Sequence, residues 1–198
     1  TDKSDQHYLI LKKMVIKLGP AGTGGNSLEG IQRTYDAGLK ATEIEFTHGV
    51  YMSNELAKKC GDLAKKLGVQ LSVHAPYFIN LASEDKKKIQ ASEKRILDSC
   101  ERAHWLGAKY VIIHAGYYGK HTREECYQLI KKSIIDIQDE IKKRKLNVEI
   151  APEVMGKFGW EGAFVSILLS EDDLISRTAR SRLIMRYGTK MQNLVANL

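Results

Sequence analysis

The sequence predicts an α/β protein of the (β/α)8 barrel type, incomplete, with about five regular βα units followed by an atypical C-terminal tail. Three observations predict it. Short runs rich in Val and Ile alternate with long amphipathic stretches, the pattern of parallel strands joined by crossover helices. Three of those runs end on a metal-capable side chain: Gln70-Leu-Ser-Val73 before His74, Tyr110-Val-Ile-Ile113 before His114, and Asn147-Val-Glu-Ile-Ala-Pro152 before Glu153. The spacings are nearly equal, 114 − 74 = 40 and 153 − 114 = 39, and a strand, a helix and two loops take up about that length.

The elements follow in order. Residues 14–18 read as a first strand, and the glycine-rich run 19–25 as a plain turn, because it matches neither dinucleotide-binding nor P-loop spacing. Ser27 is expected to cap a helix that runs to about Ala37, closed by Gly38. Strand two covers 42–46, and its alternation puts Glu43 and Glu45 on one face. Helix two is expected from about Ser53 to Leu67 with Gly68 as its stop, strand three to end at His74, and helix three to run from about Ser83 to Leu106 before Gly107. Strand four ends at His114. Thr122 and Glu125 form a capping-box pair for helix four, which extends to about Arg144, and strand five ends near Glu153. The organisation expected is an extension at 1–13, a partial barrel at 14–157 and an atypical tail at 158–198 holding one further strand and helix. Strands stopped after the fifth would leave an open sheet edge, prone to self-association.

Composition bounds the function classes. With 198 residues, 43% hydrophobic and 28% charged, the chain can build a sizeable core. It has no leader pattern and no apolar run near the ~20 residues a membrane helix needs, so no membrane partner is expected. Three widely spaced cysteines form no CxxC pair, which excludes a disulfide framework and a zinc knuckle and fits a cytoplasmic protein. The net charge of +7, from 31 Lys+Arg against 24 Asp+Glu, favours an anionic partner. The basic runs 86–88, 131–132 and 142–145 nonetheless read first as solvated helix faces.

The C-terminal ends of parallel strands are where α/β proteins place their chemistry. Two imidazoles and a carboxylate there form a usual catalytic zinc set with one coordination position left open. A lone histidine after a strand is most often structural. Three metal-capable groups in register reverse that for His74, His114 and Glu153.

The strings around these residues carry a resemblance. His74-Ala-Pro-Tyr-Phe-Ile-Asn-Leu81, His114-Ala-Gly-Tyr-Tyr-Gly119 and Ala151-Pro-Glu-Val-Met-Gly-Lys157 together resemble the endonuclease IV family, and Met14-Val-Ile-Lys-Leu-Gly-Pro-Ala-Gly22 is similar to the start of its archaeal-type members. The likeness spans about 14–157. It implies a TIM barrel and a zinc-dependent DNA-repair endonuclease that hydrolyses the phosphodiester 5′ to abasic sites in double-stranded DNA by metal-activated hydroxide. Three zinc ions serve the intact family. His74, His114 and Glu153 match its metal-binding, catalytic positions, the two histidines on one zinc and the glutamate bridging to a second. Tyr77 matches a tyrosine beside the site, Asn80 a loop-holding asparagine, and the 47–52 loop lies where the family reaches DNA, which makes His48 and Tyr51 candidate DNA contacts.

The family carries further ligands on later strands, and the tail does not resemble that continuation. One recognisable complete zinc site is therefore expected here, with reduced or absent nuclease activity. An upstream extension, an intact first part and then unrelated sequence is also the pattern of a frameshifted or truncated gene copy. Two alternatives stand beside the nuclease: a sugar isomerase or epimerase on a related barrel, and a catalytically inactive remnant. His48 taken alone reads as a turn residue. Glu45 can face the barrel mouth or pair with a lysine.

Overall fold

A computed structural model describes residues 17–153. The chain there runs α1 (Ser27–Asp36), β1 (Ala41–Glu45), α2 (Asn54–Leu67), β2 (Gln70–His74), α3 (Lys86–Trp105), β3 (Tyr110–Ile113), α4 (Arg123–Lys143) and β4 (Glu149–Pro152). The strands form one parallel sheet in chain order, β1-β2-β3-β4. Each helix packs beside the next, α1 on α2, α2 on α3 and α3 on α4. This is the wall of a (β/α) barrel, strands inside and helices outside.

The two faces of the sheet differ in chemistry. Register pairs Ile44 with Val73, Val73 with Val111, and Val111 with Ile150. These residues face the helices and meet Ala57, Cys60, Ile96, Cys100, Ile130, Ile134 and Ile137 in one continuous core. Each fully buried Ile or Leu contributes roughly 1.5–3 kcal/mol through removal of apolar surface from water. The opposite, barrel-facing side pairs Glu43 with Ser72, Glu45 with His74, and Ile112 with both His74 and Ala151. The expected placement of Glu43 and Glu45 on one face holds. Ser72 Oγ donates to Glu43 Oε2 at 3.0 Å with both residues buried, so a carboxylate is tolerated inside the wall because a donor meets it.

Local signals set most helix ends. Ser53 accepts from Leu56 N at the start of α2, and Gly68 ends that helix in the left-handed region (φ 68), where a Cβ would be strained. Thr122 and Glu125 form a full capping box on α4. Its backbone hydrogen bond from Thr122 holds the Glu125 carboxyl below the usual range. Two helix starts differ from expectation. Asn26, not Ser27, accepts from Leu28 N, so α1 begins at Ser27. Helix α3 begins at Lys86 because Asp85 is its cap, while Ser83 Oγ is turned to Asp85 N. Strand β1 also sits one residue earlier than expected, at Ala41–Glu45.

The predicted first strand lies mostly outside the described residues. Lys17 and Leu18 are irregular, yet the Leu18 carbonyl accepts from Lys40 N and Ala41 N, and Pro20 O from Glu43 N, so this segment flanks β1. The expectations for 1–13 and for a strand and helix in 158–198 also fall outside the described residues, as does all of the chain beyond Glu153. All three cysteines are buried on helices and unbridged. No helix of the described residues is long and apolar enough to cross a membrane.

Candidate metal centre

The three ends of β2, β3 and β4 converge. His74 is the last residue of β2, and His114 and Glu153 are the first residues beyond β3 and β4. Backbone bonds continue the ladder past the strands: Ala75 N donates to Ile112 O at 2.8 Å and Glu153 N to Ile113 O at 2.9 Å. These bonds carry the register of the three strands past their ends, and the alternation along each strand puts His74, His114 and Glu153 on the barrel-facing side.

The donor atoms are close enough to share an ion. Glu153 Oε2 lies 3.3 Å from His114 Nε2 and 3.6 Å from His74 Nε2, and one ligand atom from each residue falls within 4.8 Å of the others. A tetrahedral zinc with bonds of ~2.0–2.2 Å needs its ligands roughly 3.3–3.6 Å apart; Glu153 already stands at that spacing from each imidazole, and the whole set lies within 4.8 Å. The imidazole rings meet edge-on, 4.9 Å between centroids and 87° between planes, and both Nε2 atoms lie near the same Glu153 oxygen.

Protonation favours the same reading. His74 Nδ1–H donates to the Ala75 carbonyl at 2.7 Å, which leaves the lone pair on Nε2. That atom is shielded from solvent and has no hydrogen-bond partner. A buried nitrogen lone pair facing a carboxylate is costly unless a cation or proton sits between them, and a backbone carbonyl behind the other ring nitrogen is the usual outer support of a metal-bound histidine. His74 is 1% exposed, whereas His114 and Glu153 keep 16% and 18%. Among the described residues the centre is thus closed at His74 and partly exposed at His114 and Glu153.

Aromatic groups surround that opening. The Tyr77 ring lies 5.2 Å from the His74 ring and 5.5 Å from the His114 ring. The loop carrying it is tied to its neighbours on both sides: Tyr77 N donates to Thr47 O, and Leu81 N to Ala115 O. Asn80 Oδ1 accepts from Ala82 N at 3.0 Å and Tyr117 N at 3.3 Å, joining the loop after β2 to the loop after β3. Gly116 makes that junction feasible, since a Cβ there would sit 2.8 Å from Asn80 Oδ1. Asn80 therefore acts as a latch.

The other candidates lie farther out. His48 stacks on Phe78, 6.1 Å between centroids, and takes no part in the metal cluster. Tyr51 folds over Gly49 and is 86% exposed. Glu45, in register with His74, packs its carboxylate against Gly22 and pairs with no lysine among the described residues. Phe78 escaped the sequence reading. It was visible only as part of the Tyr77-Phe78 pair, and its 62% exposure beside His48 is a tertiary fact.

With fold and cluster in place, the class is a (β/α) barrel protein bearing a metal-capable centre at the strand ends. The chain belongs to the xylose isomerase-like TIM barrel family, whose model matches residues 31–176, past the Lys157 at which the motif strings stop. An uncharacterized protein of Methanocaldococcus jannaschii is 37% identical over 119 residues, 60% of this chain and 42% of that one. A Mycoplasma mobile protein named "Probable endonuclease 4" is 34% identical over 89 residues, 45% of this chain and 30% of that one. Among solved structures, a D-tagatose 3-epimerase-like protein superposes with TM-score 0.61 at 22% identity, covering 72% of this chain and 54% of that one. Endonuclease IV from Thermus thermophilus superposes with TM-score 0.55 at 21% identity, covering 72% and 52%. These two likenesses establish the fold alone. The chain spans less than half the length of the curated relatives it matches.

Proposed function

We propose that this chain is the metal-binding part of a zinc-dependent endonuclease that hydrolyses the phosphodiester on the 5′ side of abasic sites in duplex DNA. In this reading residues 14–157 form the nuclease domain, between an extension at 1–13 and the tail at 158–198. The observation that carries it is the convergence of one ligand atom each from His74, His114 and Glu153 within 4.8 Å of one another. The motif strings that hold these residues, and a curated relative named as a probable endonuclease 4, support the choice of DNA as substrate.

Zinc held there supplies Lewis acidity toward a phosphate oxygen and a nucleophile at neutral pH. The rest falls to the chain's own residues. The Ala75 carbonyl occupies His74 Nδ1, so that Nε2 is the atom that would hold the metal. Glu153 offsets the cation's charge and is held beside both imidazoles by its N–H bond to Ile113 O. Tyr77, against both imidazole rings and 39% exposed, offers a surface for the sugar or base next to the reacting phosphate. His48 and Tyr51, on the exposed loop after β1, are proposed to touch DNA beyond it.

A duplex bearing one abasic site, incubated with the protein and zinc, tests the proposal. Incision on the 5′ side that disappears in His114→Ala supports it. A second reading, a sugar epimerase or isomerase, is favoured by the single described cation site and by the fold shared with an epimerase-like protein. Intact DNA together with saturable binding of a ketohexose would select that reading instead.

A further inference from the structure

A second feature opens beside the metal centre. A groove of about 460 Å³ runs from Tyr77 and Tyr117 across Phe78 to Lys87, Lys88 and Arg95. Its aromatic end is shared with the centre, because Tyr77 also packs on both histidines. Its basic end lies on α3, whose lysine run had read as a solvated face. The fold separates that run: Lys87 and Lys88 line the groove, while Lys86 does not.

The charges in the groove are uncompensated. Lys87, Lys88 and Arg95 form no ion pair among the described residues, although Arg95 is only half-exposed. No acid lines the groove, and three neighbouring acids are engaged elsewhere, Asp98 with Lys94 at 2.6 Å. Glu84 pairs with Lys120 at 3.7 Å, and Asp85 is occupied as the cap of α3. Three cations converging on one concavity repel each other unless an anion joins them. Alongside them Phe78 is 62% exposed and Tyr77 and Tyr117 each 39%, a costly display of aromatic surface for a patch facing only water. Stacking faces next to a row of cations are the chemistry that tracks a nucleic-acid strand.

We propose that this groove holds the strand that flanks the reacting phosphate, with Lys87, Lys88 and Arg95 on successive backbone phosphates and Phe78 against a base or sugar. The inference rests on the nuclease reading and extends it to named residues outside the metal centre.

The test is the salt dependence of binding to a short duplex carrying a tetrahydrofuran abasic analogue, followed by fluorescence anisotropy from about 50 to 200 mM salt. Each phosphate contact adds about 0.9 to the slope of log Kobs against log salt. The variant K87Q/K88Q/R95Q is expected to lose about 2–3 from the wild-type slope. The charge-matched variant K58Q/K65Q/K66Q, on α2 away from the groove, is expected to keep it. Phe78→Ala is expected to weaken binding about fivefold or more at unchanged slope. Zinc content, measured on every variant, is expected to stay at the wild-type value and so excludes collapse of the centre. A steep wild-type slope that survives K87Q/K88Q/R95Q, or falls equally in the α2 variant, overturns the groove and leaves the nuclease reading standing. A wild-type protein with no salt-sensitive affinity for the duplex overturns both.

Discussion

Asn80→Ala probes the join between the two histidine-bearing loops. Asn80 Oδ1 accepts from Ala82 N and from Tyr117 N. Ala82 is 2% exposed, so truncation strands its N–H away from water, at a cost of about 1–3 kcal/mol. Tyr117 is partly exposed, and water can replace the bond to its N–H at little further cost. The expected loss is therefore about 1–3 kcal/mol in total, read from urea unfolding at a fixed m value. Zinc affinity should fall as well, by about tenfold or less, because Asn80 orients the loops and not the ligands; direct outer partners cost ~10–100-fold. Asn80→Asp keeps an acceptor at the same place and should recover most of the stability. An unchanged urea midpoint in Asn80→Ala, or an Asp variant as unstable as the Ala variant, would refute the latch.

Ser72→Ala removes the donor to buried Glu43 and should destabilise the fold by about 1–3 kcal/mol in the same urea assay. Burial pushes the Cys100 thiol up to about 12 from 9.0. The unfolded thiol ionises at lower pH than the native one, so this residue's contribution is intact below about pH 9 and lost as pH rises toward 12. Cys100 should accordingly resist alkylation at about pH 8 until denaturant is added, as a mass-spectrometric time course would record. Glu125, held low by its bond from Thr122 N, stabilises α4 above the usual carboxylate pKa and loses that effect as pH falls through its own. Glu125→Gln keeps the capping geometry and should flatten the acid limb of a stability-against-pH curve below about pH 4.5.

The sequence made the sheet legible where chemistry and pattern coincide. Gln70–Val73 and Tyr110–Ile113 are short runs each followed by a histidine, and an incorrect register would have turned His74 toward the helices. The bounds of α2 were readable because Ser53 caps its start and Gly68 ends it. The start of α3 was not, because Ser83 and Asp85 are both competent caps and the intervening turn lets Asp85 prevail. The same competition between neighbours put Asn26 ahead of Ser27. Repeat spacing also brought out the cluster of His74, His114 and Glu153. The aromatic and basic groove was hidden, since it joins Tyr77 and Phe78 from one loop, Tyr117 from another and three cations from a helix. Such a surface has no periodic signature along the chain.

Metal content of the purified protein after exhaustive dialysis, measured by mass spectrometry for the wild type and for the variant H74A/H114A, bears most directly on the centre. One tightly held zinc per wild-type chain, absent from the double variant, is the predicted result. A wild-type chain that retains no divalent ion, or a double variant that holds zinc as firmly as the wild type, would contradict it.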